Sequence, residues 1–380
     1  MEDLKQIRTK IDKTDDELKD IFIQRLELMK DVAEAKKNAD SQITDTNREN
    51  EIVYRLTENL SDKYARYIKE LYSVVFSTSK AYQCELLGKS SKVVDEIKEI
   101  IQNGQKKAPA RAAVACQGVK GAYGGAAAKK LFSICDVTYF KNFEGVFSAV
   151  ESGLCEYGVL PIENSTAGSV SEVYDLMKKH DFHIVRAVRL NIEHCIAGVN
   201  GATLKDIKKV VSHPQAIRQC AKFIKEHKLE TEEDVNTAIA AEKVAKLNDK
   251  SVAVLCSNEC AEVYGLNVLE RGVQDETNNY TRFICISKNM EIFAGSDKIS
   301  IMTALPHKPG GLVAILNRFA ASGLNLTKIE SRPVPNTDFE FMFYFDFEGL
   351  ANDPEVLSLI ASLERSSDKF VFLGAYKEIL

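Results

Sequence analysis

The stretch Tyr157-Gly-Val-Leu-Pro-Ile-Glu-Asn-Ser-Thr-Ala-Gly-Ser-Val170 decides how this chain is read. Gly158–Leu160 is a short apolar run of the kind that forms a buried strand. Pro161 cannot donate to a sheet ladder and marks the strand's expected end. The polar residues Glu163, Asn164, Ser165, Thr166 and Ser169 then fall in a strand-to-helix turn, ahead of an amphipathic helix expected over about Ser171–His180. In open α/β sheets small molecules bind beyond the carboxyl ends of strands, and a helix N-terminus favours anions. The segment reads as the floor of a small-molecule anion site. The alternative, an ordinary capped loop, is decided only by the rest of the chain.

Outward from this stretch, short apolar strands alternate with helices over 111–290. Candidate strands include Ala112–Cys116, Val137–Phe140, Gly158–Leu160, Val210–Ser212, Val252–Cys256 and Phe283–Ser287. Such alternation predicts an α/β domain with largely parallel sheets. Downstream, 297–380 reads strand, helix, strand, strand, helix, strand. The strands are Lys298–Leu305, Leu326–Arg332, Phe339–Phe347 and Phe370–Tyr376. One helix follows Pro309-Gly-Gly311 and another covers Pro354–Leu363, a ferredoxin-like βαββαβ order. Upstream, 1–88 has no Pro and no Gly before Gly88. Leu4, Ile7, Ile11, Leu18, Ile21, Leu28 and Val32 recur near every 3.5 residues, which predicts one long helix of about 30 residues. Thr46 followed by Glu49 resembles a capping box opening a second helix, and a third is expected from about Asp62 past Gln83. Stripes this long need a partner, so a helical dimer is expected. Residues 89–110, charged and then loose, read as a linker.

At 380 residues the chain is long enough for two or three domains. A net charge of −5 and a pI near 5.8 argue against a nucleic-acid surface. No apolar run approaches a membrane span, and the N-terminus shows no signal-peptide core. The nine cysteines are odd in number and lack any C-x-x-C pair. Reduced thiols in a cytoplasmic protein are the expectation, with no metal site.

Several polar residues sit on or beside the apolar stripes of 1–88. Arg25 takes a stripe position, and Lys36 projects from nearly the same face three turns on. Asp45 and Glu49 share a face at i,i+4, as do Ser79 and Gln83. Basic residues on a face turned inward, with too few acids to match them, point to an anionic ligand. The set Arg8, Arg25, Lys36, Asp45, Arg48, Glu49, Ser79 and Gln83 resembles, position by position, the active site of the all-helical chorismate mutases. The resemblance implies an interlocked dimer of three-helix chains. Arg8 and Arg25 lie about 25 Å apart along one straight helix, farther than a ligand roughly 10 Å across can span. One of them must come from a partner chain, and the family assigns that role to Arg8. The implied reaction is the Claisen rearrangement of chorismate to prephenate, which needs no nucleophile, metal or cofactor. Arg8, Arg25 and Lys36 would bind carboxylates, and Lys36 and Gln83 would face the ether oxygen. Asp45 and Glu49 would hold the ring hydroxyl, with Ser79 and Arg48 in support.

Five segments in 111–290 resemble the prephenate dehydratases: Gly118–Gly124, Phe143–Phe147, Pro161–Gly168, Ser212-His-Pro-Gln215 and Asn279-Tyr-Thr-Arg-Phe283. The resemblance implies two α/β lobes like those of type II periplasmic binding proteins, with the site between them. Thr281 would donate to the leaving hydroxyl and Glu163 is a candidate proton source. Asn164, Ser212 and Gln215 would bind substrate, and Arg282 is assigned a carboxylate or a structural ion pair. His213 is as well explained as a loop anchor. Val119, Ala122 and Gly124 depart from the family's first motif, which carries Pro and two hydroxyls there. In the C-terminal module, Pro309-Gly-Gly-Leu-Val313 and Glu330-Ser-Arg-Pro333 resemble the phenylalanine-sensing ACT domain. Gly310, Gly311, Leu312, Val313, Glu330, Ser331 and Arg332 would form the effector site between paired modules. The whole order resembles the bifunctional chorismate mutase–prephenate dehydratases, feedback-inhibited by phenylalanine. A non-catalytic sensor, or a chain in which only the mutase domain is active, is the alternative. Dimer against tetramer, the passage of prephenate between the sites, and arogenate as a second substrate stay open.

Overall fold

The computed structural model describes residues 3–39, 45–86, 91–103, 107–276, 278–305, 310–334, 341–367 and 369–380. The chain divides into two compact units: Met1–Glu99 with Ile301–Val371, and Ile100–Ser300 with Phe372–Leu380.

The first unit opens with helices α1 (Leu4–Ala39), α2 (Thr46–Thr57) and α3 (Asp62–Leu86). α1 runs 36 residues because neither Pro nor Gly interrupts it. Both α1 and α2 pack on α3. The N-cap of α2 is Asp45, whose carboxylate accepts the Arg48 amide at 3.0 Å, and not the Thr46 of the expected capping box. The packing leaves much of α1 uncovered: Leu4, Ile11, Leu18, Ile21 and Leu28 are 52–62% exposed. Helix α4 (Lys92–Gln102) occupies the segment read as a linker and buries Val94 and Ile97. No described helix is long and apolar enough to cross a membrane.

The second unit holds two sheets. β1 (Arg111–Gln117), α5 (Tyr123–Leu131), β2 (Ile134–Phe140), α6 (Phe143–Glu151), β3 (Tyr157–Asn164), β4 (Gly168–Ser169), α7 (Ser171–Lys179) and β5 (His183–Asn191) build the first lobe. The chain crosses to the second lobe with β6 (Cys195–Gly198), β7 (Lys209–Ser212), α8 (Pro214–Gln219), α9 (Ala221–Glu226), β8 (Glu230–Glu233), α10 (Thr237–Leu247), β9 (Val252–Cys256), α11 (Asn258–Val263) and β10 (Asn267–Arg271). It returns with β11 (Tyr280–Ser287), which pairs antiparallel with both β3 and β5. Val114, Val159 and Cys285 centre the first core, and Ile196, Val254 and Ala241 the second. The sheets are mixed and not largely parallel. β1 pairs parallel with β2 and β3, while the returning β11 and the β6–β9 and β6–β10 pairs run antiparallel. A chain that leaves a sheet and re-enters it from the other lobe has no reason to keep one direction.

β3 does not stop at Pro161. Phe283 stands opposite Pro161 and Arg282 opposite Glu163, so Ile162 is an extra residue on β3. This bulge tolerates the missing proline N–H and carries the strand on to Asn164.

The C-terminal module is β12 (Lys298–Leu305), α12 (Gly311–Ala321), β13 (Leu326–Pro333), β14 (Phe341–Glu348), α13 (Pro354–Ser366) and β15 (Phe370–Tyr376). Its sheet order, β13-β14-β12-β15, is that of a ferredoxin-like fold. Pro309 and the first residues of the expected strand Phe339–Phe347 lie outside the described residues. Beyond the candidate strands named from the sequence, the second unit contains β4, β5, β6, β8 and β10, and also β16 (Glu378–Ile379), which pairs parallel with β5 of the first lobe.

Candidate active sites

The cleft of the second unit is built from the end of β3 and the start of β11. Antiparallel pairing sets Asn164 opposite Thr281. The Asn164 side chain is fixed from both ends. Its Oδ1 accepts the amides of Thr166 (3.1 Å) and Ala167 (2.8 Å) and the Thr166 hydroxyl (2.8 Å). Its Nδ2 therefore faces the other way, donating to Thr281 Oγ1 at 2.9 Å and to Asn279 Oδ1 at 2.8 Å. Thr281 is thus held as an acceptor, which leaves its own proton to be given. Asn279 Nδ2 is buried and has no hydrogen-bond partner among the described residues.

Asn279, Thr166 and Ala167 line a cleft of about 390 Å³ whose opposite wall is Gln215, Arg218 and Gln219, with Gln274, Asp275 and Glu276 at its rim. That volume suits a ligand of one ring and a few substituents. Thr281 reaches the cleft through Asn164 and Asn279. Gln219 ties the wall together, donating to Thr166 Oγ1 at 3.3 Å and accepting from His194 Nε2 at 2.9 Å. Burial pushes the His194 imidazole down, so this ring is neutral, with its proton on Nε2.

Other expected residues lie apart from this cluster. Alternation along β3 and β11 puts Glu163 and Arg282 on the face opposite Asn164 and Thr281. Arg282 is 7% exposed and meets Tyr376 and Glu378. Ser212 is fully buried and donates to Leu255 O at 2.6 Å. His213 caps α8, its Nδ1 accepting the Gln215 amide, while burial first and then Arg218 lower its basicity. In the first motif the amides of Gly118 and Ala122 bond Phe140 O and Val119 O, and Tyr123 donates to Glu193 O at 2.9 Å. Asn279 belongs to the quoted Asn279–Phe283 motif but carried no assigned role. Thr166 stood in the quoted polar cluster without a role of its own, while Arg218, Gln219 and His194 went unassigned, since only folding brings Arg218 and Gln219 to the cleft and sets His194 behind Gln219.

In the helical unit, α1 and α3 bring Arg25 to Ser79, which also donates to Val75 O at 2.6 Å. The Arg25 guanidinium lies over the Phe76 ring. One turn further on, Gln83 is 5% exposed. Its Nε2 donates to Met29 Sδ at 3.3 Å, and its Oε1 is buried without a partner among the described residues. Glu49 is joined to Lys80 at 2.8 Å, a pairing the sequence reading did not foresee. Lys36 is half-buried, Arg8 exposed, Asp45 engaged as a cap, and Arg48 pairs with Glu51 on the surface. In the C-terminal module Gly310 adopts φ +83° at the start of α12, a conformation that favours glycine. Leu312 is half-buried and Val313 exposed beside it. Glu330, Ser331 and Arg332 lie on β13, the sheet's edge strand.

Fold and sites together define a multidomain enzyme: a helical mutase domain, a two-lobed dehydratase domain and an effector-type module. Family models agree domain by domain, with chorismate mutase type II over residues 7–84, prephenate dehydratase over 114–291 and the ACT domain over 299–365. A bifunctional chorismate mutase/prephenate dehydratase of Enterobacter agglomerans is 34% identical, over 97% of this chain and 95% of its own. An arogenate dehydratase/prephenate dehydratase of Arabidopsis thaliana is 36% identical, over 74% of this chain and 76% of its own. The structure of a prephenate dehydratase from Arthrobacter aurescens in complex with L-Phe superposes with a TM-score of 0.64. It is 30% identical, over 70% of this chain and 89% of that one. The chain belongs to the bifunctional chorismate mutase/prephenate dehydratase family, and it is an enzyme carrying both catalytic domains.

Proposed function

We propose that Asn164, Thr281 and Asn279 are the catalytic floor of the dehydratase and that Arg25, Ser79 and Gln83 are the core of the mutase. In the dehydratase, the bond from prephenate's ring carbon to its carboxylate breaks and CO2 leaves. The released electron pair closes the aromatic ring and expels the ring hydroxyl, which takes a proton and departs as water. Thr281, accepting from Asn164, donates a hydrogen bond to that oxygen as charge builds on it, and the proton that completes the water is drawn from solvent. An accepted hydrogen bond makes a hydroxyl a better donor. Asn279 Nδ2, Gln215 and Arg218 hold the substrate's oxygens. Glu163 and Arg282, on the far face of the strands, stand outside this set, and buried Ser212 shapes the wall.

In the mutase, Arg25 and Lys36 hold the carboxylates of chorismate. Gln83 exchanges its weak thioether acceptor for the ether oxygen, where negative charge develops as the bond breaks. Glu49, oriented by Lys80, and Asp45 face the ring hydroxyl, with Arg48 beside them. Arg8, distant from Arg25 on the same helix, serves the site of a second copy of the chain. The open apolar stripe of α1 supports that homodimer. Paired C-terminal modules would take phenylalanine beside Gly310, Gly311, Leu312, Val313, Glu330, Ser331 and Arg332, and so inhibit the pathway's own product formation. The eight described cysteines are free thiols, which fits a reducing cytoplasm.

The observation that carries the reading is the two-sided fixing of Asn164, which leaves Thr281 as donor and Asn279 Nδ2 unpartnered. The test is product identification after purified protein is given chorismate alone. Phenylpyruvate is the expected product. Accumulated prephenate would mean that Val119, Ala122 and Gly124 have disabled the second site, and unreacted chorismate would favour a sensor.

A further inference from the structure

We propose that the last strand, β16, is a strap that positions Thr281 by holding Arg282, and that Tyr376 and Glu378 are its positioning residues. This rests on the dehydratase site described above and adds residues that neither touch substrate nor belong to its motifs.

Glu378 presents one carboxylate, 8% exposed, to three cations. Arg189 donates to its Oε1 at 3.0 Å from Nη2 and 3.2 Å from Nε. Its Oε2 lies 3.7 Å from Arg282 Nε and also receives Lys298. These cations hold the carboxyl below its usual range despite burial. Two residues earlier, the fully buried Tyr376 accepts Arg282 Nη2 at 2.5 Å and shares a 2.7 Å hydrogen bond with Ser300. Arg282 is therefore gripped by both sides of the turn at Lys377.

The ladder explains why this grip matters to Thr281. On its β3 side, β11 faces the Ile162 bulge, and regular pairing breaks between Arg282 and Phe283. On its β5 side, β11 pairs without interruption from Tyr280 to Cys285. β16 extends that regular side by one strand, with Glu378 opposite Ala187 and Ile379 opposite Val188. Thr281 and Arg282 are consecutive and face opposite ways, so fixing the guanidinium on one face sets the strand rotation that presents the hydroxyl on the other. The approach of β15 is equally tight. A Cβ on Gly374, at φ +148°, would lie 2.1 Å from Ile184 O, and His183 Nδ1 is 3.2 Å from Phe372 O. Only Lys377 separates β15, the last strand of the effector-type module, from β16. The module's own final strand thus ends in the side chains that hold Arg282. A shift of β15 on effector binding would reach Arg282 through a single intervening residue.

The test compares full-length Tyr376→Phe and Glu378→Gln with wild type in both reactions, with phenylalanine binding measured by calorimetry. Tyr376→Phe removes one hydroxyl from a buried ring and keeps its shape, so it stays informative if Glu378→Gln folds poorly. The expected result is a dehydratase kcat about tenfold lower, with KM within about twofold of wild type. Mutase turnover stays unchanged, and phenylalanine binds with the same Kd but inhibits less. Glu378→Asp, which keeps the charge, recovers part of kcat. The proposal is overturned if both variants keep wild-type kcat. It is equally overturned if mutase and dehydratase activities fall in parallel with a lowered Tm, which would make the strap a general stabiliser. Failure of wild type to bind phenylalanine would remove the regulatory reading alone, since the kcat comparison still decides the strap.

Discussion

Replacing Thr281 by Val separates the chemical role of its hydroxyl from its place in the sheet. Val is as well suited to a strand as Thr and fills nearly the same volume. The structural cost is small, because the donor that loses its acceptor is not orphaned. Asn164 Nδ2 keeps Asn279 Oδ1 at 2.8 Å and Tyr280 O at 3.3 Å. One net hydrogen bond is lost, about 1 kcal/mol of stability. The catalytic cost is larger. A positioned hydrogen-bond donor to developing charge contributes about 10²- to 10³-fold, equivalent to about 3–4 kcal/mol on the barrier. The assay is kcat for phenylpyruvate formation from prephenate, with mutase kcat on the same preparation as internal control. Thr281→Val should lose at least two decades in the first and nothing in the second, and Thr281→Ser should recover most of the loss. A folded Thr281→Val enzyme turning over prephenate within about threefold of wild type would refute the reasoning, because no hydroxyl would then be needed at that position.

The reciprocal variant, Arg25→Ala, removes the guanidinium that meets Ser79 and should cost the mutase about 10²- to 10³-fold while sparing prephenate turnover; unchanged chorismate turnover would remove Arg25 from the site. Ile21→Glu places a charge on the exposed stripe of α1, where Ile21 is 62% exposed. Sedimentation should show loss of the dimer together with mutase activity, and an unchanged oligomer would mean the stripe is covered in another way. Glu232 receives hydrogen bonds from Lys209 and Lys243, which hold its carboxyl at about 2 against the usual 4.5. Its folded-state value is depressed, so its contribution to stability is full above pH 4.5 and is lost as pH falls through about 2. In urea titrations the gap between wild type and Glu232→Gln should hold from pH 6 to about pH 5 and then shrink toward pH 3; a gap constant over the whole range would contradict this.

Much of the architecture was legible in the residues. The α1 stripe, the strands Val252–Cys256, Lys298–Leu305 and Phe370–Tyr376, and the order of the three domains follow from periodicity and turn residues. What went astray has identifiable causes. Pro161 signals a strand end to any local reading, yet it sits at a bulge that exists only because β11 pairs opposite it. The segment 89–110 looks loose by composition, but Val94 and Ile97 find burial and α4 forms. β16 is too short to carry a pattern and is a strand only by virtue of β5.

The same division runs through the sites. Residue type and spacing marked Asn164, Arg25, Ser79 and Gln83, because a helix or strand of known period places i,i+4 or alternate residues on one face, whereas Thr281 was marked by the resemblance of its motif to the prephenate dehydratases. Which face met which partner was a tertiary matter. The pairing of β3 with β11 joined Asn164 to Thr281 and turned Glu163 and Arg282 away, and the return of the chain's last strand gave Arg282 to Glu378 and Tyr376. Element type is written in neighbours a few residues apart, whereas 378 and 282 become neighbours only when a sheet closes between them.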